Sequence, residues 1–192
     1  MAFVLEASET TLITKAQRGD RNAFSELVRI HGQGVLNVIY RMCGNLQLAE
    51  DAAQETFIKA WLDFGSFRPQ ASLRNWLYRI AINMAIDMLR KQKRILPGAM
   101  EEFHLMDPQL SPEARYLHNE RTALVQQATL SLPDTSRAVL ALKEYEGLSY
   151  REIADTLNIP IGTVMSRLNH ARRLLRDKLS EHLSVLMEAE SV

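Results

Sequence analysis

Apolar residues recur along most of this chain at intervals of three and four, the spacing of helices that each bury one stripe. Leu12, Ile13 and Ala16 predict a short helix ended by Gly19, with Asp20 placed to cap the next. Phe24, Leu27 and Val28 then face inward. Gly32 and Gly34 weaken the stripe, but Val35, Val38, Ile39 and Met42 resume it up to Gly44-Asn45. From Leu48 to Phe64 the inward set is Ala49, Ala53, Phe57, Ala60, Trp61 and Phe64. After a loop containing Gly65 and Pro69, Ser72 is placed to cap a long helix with Leu73, Trp76, Leu77, Ile80, Met84 and Met88 inside. The pattern fails from Ile95 to Leu110, where Pro97-Gly98 and Pro108 predict a linker. It restarts at Ser111-Pro112-Glu113 and runs through Leu117, Leu124 and Ala128 to Leu132-Pro133, and Asp134 opens a further helix that Gly147 ends. The predicted fold is all-α: two small helical domains, residues 1–94 and 111–192, joined by a flexible linker of residues 95–110.

The stretch from Ser149 to Arg173 predicts a helix, a tight turn and a second helix. Ser149 and Glu152 have the spacing of a capping box, Asn158 tolerates a left-handed turn, and Pro160 cannot continue the first helix. A second helix must begin near Gly162, so the second domain contains a helix-turn-helix. In that second helix Val164, Leu168, Ala171 and Leu175 form one apolar stripe, which leaves Met165, Ser166, Asn169, His170 and Arg173 outward. Short polar side chains in a first turn, with arginines further along, suit base edges and phosphates in a major groove. An ordinary helical hairpin with a solvated face has the same spacing.

Charge sharpens this picture. Across 192 residues the net formal charge is zero, but it is distributed very unevenly. Residues 65–94 carry 7 basic and 1 acidic side chain, or +6, and residues 164–179 carry 5 and 1, or +4. Between them, residues 95–163 carry 5 basic and 10 acidic side chains, or −5. Two separate basic patches are the footprint of phosphate binding. The first patch follows an aromatic loop residue, Phe67, and Arg68. An aromatic loop with a basic helix bearing Arg74, Arg79, Asn83 and Arg90 offers what single-stranded nucleic acid needs, a stacking face and cations along the backbone. The plain alternative places Phe67 and Trp76 in the core. Upstream, Asp51, Gln54, Glu55, Ile58 and Leu62 lie off the core stripe, either as a solvated face or as a docking surface for a basic, partly apolar partner.

Catalytic chemistry finds no foothold. Cys43 is the only cysteine, so neither an internal disulfide nor a cysteine zinc site can form. The five histidines lack ligand spacing, and no phosphate loop, zinc-protease motif or nucleophile elbow is present. The expectation is a non-enzyme without metal, cofactor or small-molecule substrate. No apolar run approaches the length of a bilayer span, and the start of the chain lacks a signal-like pattern, so a cytoplasmic, reducing location is expected.

Several motifs together resemble the extracytoplasmic-function (ECF) sigma factors of bacterial RNA polymerase, the two-domain type of the sigma-70 family. They are Asp51-Ala52-Ala53-Gln54-Glu55-Thr56-Phe57 with Trp61, Phe67-Arg68, and Trp76-Leu77-Tyr78-Arg79-Ile80-Ala81-Ile82-Asn83 with Asp87. Leu132-Pro133, Glu146 to Ala154, Gly162-Thr163-Val164 and Ser166-Arg167-Leu168 complete the set. The resemblance implies that the first domain, sigma region 2, docks on the core RNA polymerase clamp through Asp51, Gln54 and Glu55, with Ile58 and Leu62 on the same helix. It implies that Phe67, Arg68, Arg79 and Asn83, joined by Arg74 and Arg90, melt and hold the minus-ten element as single-stranded DNA. The second domain, sigma region 4, would meet the polymerase flap and read double-stranded minus-thirty-five DNA through Thr163, Met165, Ser166, Arg167, Asn169, His170 and Arg173. Met165 and His170 stand where many relatives carry larger basic residues, which leaves the preferred upstream bases open. The resemblance further implies control by a separate anti-sigma factor, often one held at the membrane. The competing reading is a stand-alone helix-turn-helix regulator whose first domain senses a signal. Finally, the apolar linker residues Met100, Phe103, Leu105 and Met106 are costly to leave in water. They predict a compact free state that partly hides the DNA-binding and docking faces, and into which an anti-sigma helix inserts.

Overall fold

The computed structural model describes residues 2–68, 72–95 and 122–189; for residues 2–8, 93, 95 and 181–189 the backbone alone is described. Helices α1 (Ala2–Gln17), α2 (Arg21–Cys43), α3 (Leu46–Asp63) and α4 (Leu73–Ile95) precede the undescribed segment. After it come α5 (helical over 122–130), α6 (Asp134–Leu140), α7 (Tyr150–Leu157) and α8 (Ile161–Ala189). No strand occurs among the described residues. The expected linker, with Met100, Phe103, Leu105 and Met106, lies outside the described residues apart from Ile95, which closes α4, and so does the restart at Ser111.

The helix boundaries follow from local chemistry. Asp20 accepts hydrogen bonds from the backbone N–H groups of Asn22 and Ala23 (2.9 and 3.1 Å) to start α2. Asn45 accepts from Leu48 N (2.9 Å) for α3, and Ser72 from Asn75 N (3.2 Å) for α4. Gly44 ends α2 at φ 73°, a left-handed conformation that a side chain resists. Gly32 and Gly34 do not interrupt α2, which runs unbroken for 23 residues. Tertiary packing overrides their low propensity, since Val35, Val38, Ile39 and Met42 are buried just beyond them.

Helices α2, α3 and α4 pack against one another and α1 closes over α2. An aromatic cluster locks the α3–α4 turn: Phe24 meets Trp61 and Phe64 (ring centroids 5.0 and 5.2 Å), and Phe67 meets Phe64 and Trp76 (5.9 and 5.1 Å). Fully burying such a ring contributes about 1.5–3 kcal/mol. In the C-terminal half α6 packs on α8 and α7 on α8, and α6 continues into a wider five-residue turn of π-helix, Ala141–Tyr145.

The two halves share one continuous core. Helix α4, for which one inward stripe is expected, is buried over a wide arc that includes Leu73, Leu77, Tyr78, Ile80, Ala81, Ile82 and Ala85, because α7 covers a side that α2 and α3 leave open. At the seam, Arg137 donates to the Met42 carbonyl on α2 and to the carbonyls of Leu130 (2.6 Å) and Leu132 (2.9 Å). Only 4 % exposed, it is a buried guanidinium whose charge faces Asp134 at 3.3 Å. Burial pulls its pKa below the ordinary arginine value, and Asp134 partly counters that. Gln126 reaches the Tyr40 hydroxyl (3.2 Å), beside a cavity of about 260 Å³ lined by Tyr40, Arg41, Leu130 and Tyr145 among others.

Candidate nucleic-acid interface

On α3 the residues off the core stripe form one continuous exposed face. Asp51, Gln54 and Glu55 are exposed, and Ile58 and Leu62, at 61 % and 75 %, are among the most exposed large apolar side chains described. Positions 51, 55, 58 and 62 follow one helical line, so carboxylates and aliphatics form a single acidic and greasy strip. The compact arrangement leaves this strip open. The expectation that the docking face is partly hidden is therefore corrected: the seam runs along α2 and α4, away from the outward side of α3.

Along α4, Arg79, Asn83 and Arg90 are exposed at i, i+4 and i+11 and make a polar, cationic line, with Arg68 exposed in the preceding loop. The Arg90 guanidinium lies 3.8 Å from the Asp87 carboxylate on the same face. Two expected members stand elsewhere. Phe67 is 4 % exposed, so its ring is not a free stacking surface; the apolar ring lies in the Phe64–Trp76 cluster, and Gln17 holds its carbonyl by a 2.7 Å hydrogen bond. Arg74 turns toward the seam. Its Nη2 donates to the Glu146 carbonyl (2.6 Å) and side chain (3.2 Å), and its Nε to the Tyr78 hydroxyl (3.1 Å).

The helix-turn-helix is built as its residues predict. Ser149 accepts from Glu152 N (3.2 Å) and its own N–H donates to the Glu152 carboxylate (2.7 Å), closing the capping box. Hydrogen bonding of Ser149 to the Glu152 carboxyl, its side chain first and its backbone N–H second, holds that group below the usual range. Asn158 takes the left-handed conformation (φ 52°), and Pro160 stands before α8, where Thr163 N and Val164 N bond its carbonyl. Val164, Leu168 and Ala171 are buried. Met165 (48 % exposed), Ser166, Asn169 and Arg173 are exposed, and Thr163, Arg167 and His170 are half-buried on the flanks. Ser166 Oγ donates to the Thr163 carbonyl (3.1 Å), and Arg173 Nη2 lies 3.2 Å from His170 Nδ1, so the outward face is partly ordered.

Sequence spacing did not reveal the groups that join these surfaces. Tyr78 donates its hydroxyl to the Glu146 carboxylate, the Arg41 guanidinium lies 4.0 Å over the Tyr145 ring, and Arg172 of α8 pairs with Glu144 at 2.8 Å. Burial, then the bond to Glu146, pushes the Tyr78 phenol up to about 12. The one advance signal was the acidic block lying between two basic ones. Among the described residues no three His, Cys, Asp or Glu side chains group as metal ligands, and no helix is long and apolar enough to cross a membrane.

Comparison with known proteins assigns the class. Residues 27–95 match the model of sigma-70 region 2, and residues 122–175 that of sigma-70 region 4. The ECF RNA polymerase sigma factor SigW of Bacillus subtilis is 36% identical over 178 residues, covering 88% of this chain and 95% of SigW. The RNA polymerase sigma-H factor of Pseudomonas aeruginosa is 38% identical over 182 residues, covering 90% of this chain and 94% of that protein. Among solved structures, CnrH in complex with the cytosolic domain of CnrY aligns with TM-score 0.68 at 25% identity, over 91% of this chain and 98% of that one. The sigma factor RpoE in complex with the anti-sigma factor NepR, from Bartonella quintana, aligns with TM-score 0.64 at 25% identity, over 82% and 96%. This chain belongs to the ECF sigma factors of RNA polymerase. The match of residues 27–95 to sigma region 2, rather than to a sensor, removes the stand-alone regulator as a reading of the whole chain.

Proposed function

We propose that this chain binds core RNA polymerase and directs promoter-specific initiation, with residues 1–94 acting as sigma region 2 and residues 111–192 as sigma region 4. The acidic and apolar strip of α3, Asp51, Gln54, Glu55, Ile58 and Leu62, docks on the polymerase clamp. Arg68, Arg79, Asn83 and Arg90 hold the melted minus-ten strand, and Arg74 joins them once it leaves the seam. Thr163, Met165, Ser166, Arg167, Asn169, His170 and Arg173 meet the duplex upstream. Phosphate contacts from the arginines set position, and Ser166 and Asn169 set base preference. The observation that carries this reading is the presence, on one chain matching both sigma regions, of an exposed acidic and apolar strip on α3, a cationic line on α4 and a capped helix-turn-helix.

The complexes of CnrH with CnrY and of RpoE with NepR support an anti-sigma partner for this chain too, acting in the cytoplasm, where polymerase is found. An anti-sigma helix would replace or part the direct α4–α7 contact. The test is transcription with purified core enzyme on a promoter library. Promoter-specific transcripts that depend on this protein are expected, and a yield equal to core enzyme alone overturns the reading.

A further inference from the structure

The tripeptide Glu144-Tyr145-Glu146, at the end of the π-helical turn, meets one arginine from each of three helices. Glu146 accepts from Arg74 of α4 through both its carbonyl and its carboxylate, and the same carboxylate accepts from the Tyr78 hydroxyl. Tyr145 lies under Arg41 of α2, 4.0 Å from ring centroid to guanidinium. Glu144 pairs with Arg172 of α8 at 2.8 Å. Two of these arginines, Arg74 and Arg172, come from the +6 and +4 blocks, and both glutamates come from the −5 block between them. A carboxylate and a phosphate oxygen make equivalent charge-assisted acceptors for a guanidinium, and an aromatic face receives it much as a base does.

From this we infer that Glu144-Tyr145-Glu146 is an internal surrogate for nucleic acid, a clasp that holds the free protein closed and keeps Arg74 and Arg172 occupied until DNA or polymerase displaces it. The clasp is built into the packing. Gly34 has no side chain where the Tyr78 hydroxyl passes, and an added Cβ would lie 2.5 Å from that oxygen. In the pair of Arg74 with Glu146 the carboxylate is 9 % exposed and the guanidinium 44 %, so solvent screens the pair from the arginine side alone. Closing withholds the Arg74 contact from DNA while the line of Arg79, Asn83 and Arg90 stays open, so the cost to binding is that of one phosphate contact.

The inference rests on the DNA-binding role proposed above for Arg74, and its test separates the two. The full-length chain is compared with Glu144→Gln/Glu146→Gln and with a charge-matched control, Glu26→Gln/Glu50→Gln, on exposed sites of α2 and α3. Small-angle scattering reads compactness without DNA, and fluorescence anisotropy reads binding of a labelled single-stranded oligonucleotide at low and moderate salt. The clasp predicts a larger radius of gyration and a severalfold gain in affinity over the control for the double variant, as one further phosphate contact supplies. An unchanged radius, or an affinity gain no larger than the control's while the parent binds, overturns the clasp alone. A radius that grows while no variant binds the oligonucleotide overturns the clasp together with the DNA-binding assignment, whereas the transcription assay tests polymerase function separately.

Discussion

Arg137 and Glu152 show what single residues do here. Arg137 is a buried arginine whose two Nη groups donate to carbonyls of both halves, Nη1 to Met42 and Nη2 to Leu130 and Leu132. Replacing it by methionine keeps the volume but leaves these acceptors unpaired beside Asp134. Arg137→Met should cost about 3–5 kcal/mol, read as a lower denaturant midpoint. Glu152 is exposed, and its role is to cap. Its carboxyl is held below the ordinary value of 4.5, so the capping box contributes fully above that pH and loses its contribution as pH falls through the lower folded value. Amide protection factors in α7, corrected for the intrinsic exchange rate, should therefore fall in acid. Glu152→Gln, which still reaches the Ser149 N–H, should flatten that pH dependence, whereas Ser149→Ala should cost about 1 kcal/mol at neutral pH.

At the scale of the element, α3 and α8 separate fold from function because each keeps its core stripe and its outward strip on different faces. Asp51→Arg/Glu55→Arg reverses charge on exposed positions only. Circular dichroism should stay native while affinity for core polymerase falls about a hundredfold. Unchanged affinity would remove the α3 strip from docking. On α8, Arg173→Ala should weaken upstream duplex binding evenly across sequences and lower the salt slope by about 1, as loss of one phosphate contact does. Asn169→Ala should instead change the preferred base at one position, by about 1–3 kcal/mol. Selection from randomised duplexes tells the two apart, and an unchanged preference for Asn169→Ala would take that residue out of base reading. Helix α4 has less freedom, since it is buried on two sides, and the line through Arg79, Asn83 and Arg90 stays open along it.

At the scale of the whole molecule the decisive feature is the seam. Gly34 lies on α2 where the Tyr78 hydroxyl crosses to Glu146, and the phenol cannot swing aside while Arg74 and Glu146 hold it. Gly34→Ala should therefore loosen the two halves rather than α2 itself, in which alanine is the better helix former. The expected outcome is a loss of about 1–3 kcal/mol of stability with a larger hydrodynamic radius, measured by urea denaturation and light scattering. A stabilised protein of unchanged radius would show that the close approach relaxes without consequence.

Sequence alone determined what depends on neighbours a turn or two away: the helices, the caps at Asp20, Ser72 and Ser149, the left-handed Asn158, and which faces of α3 and α8 look outward. Those features repeat every 3.6 residues or rest on hydrogen bonds spanning two to four positions, so a linear reading contains them. Tertiary structure alone decided that Phe67 is a core ring, that Arg74 is tied to the second half, and that Arg137 is buried. The Phe67 ring closes on Phe64 and Trp76 across the α3–α4 turn, and the arginines reach partners far away in the chain, 72 residues for Arg74 with Glu146 and 95 for Arg137 with Met42. A lone aromatic in a loop or a cation in a basic run is equally compatible with solvent, DNA or a distant carboxylate. The packing of α4 between α2 and α7, and of α6 on α2, selects among them, because burial makes an unpaired charge too costly and forces a buried guanidinium onto the acceptors the fold brings near.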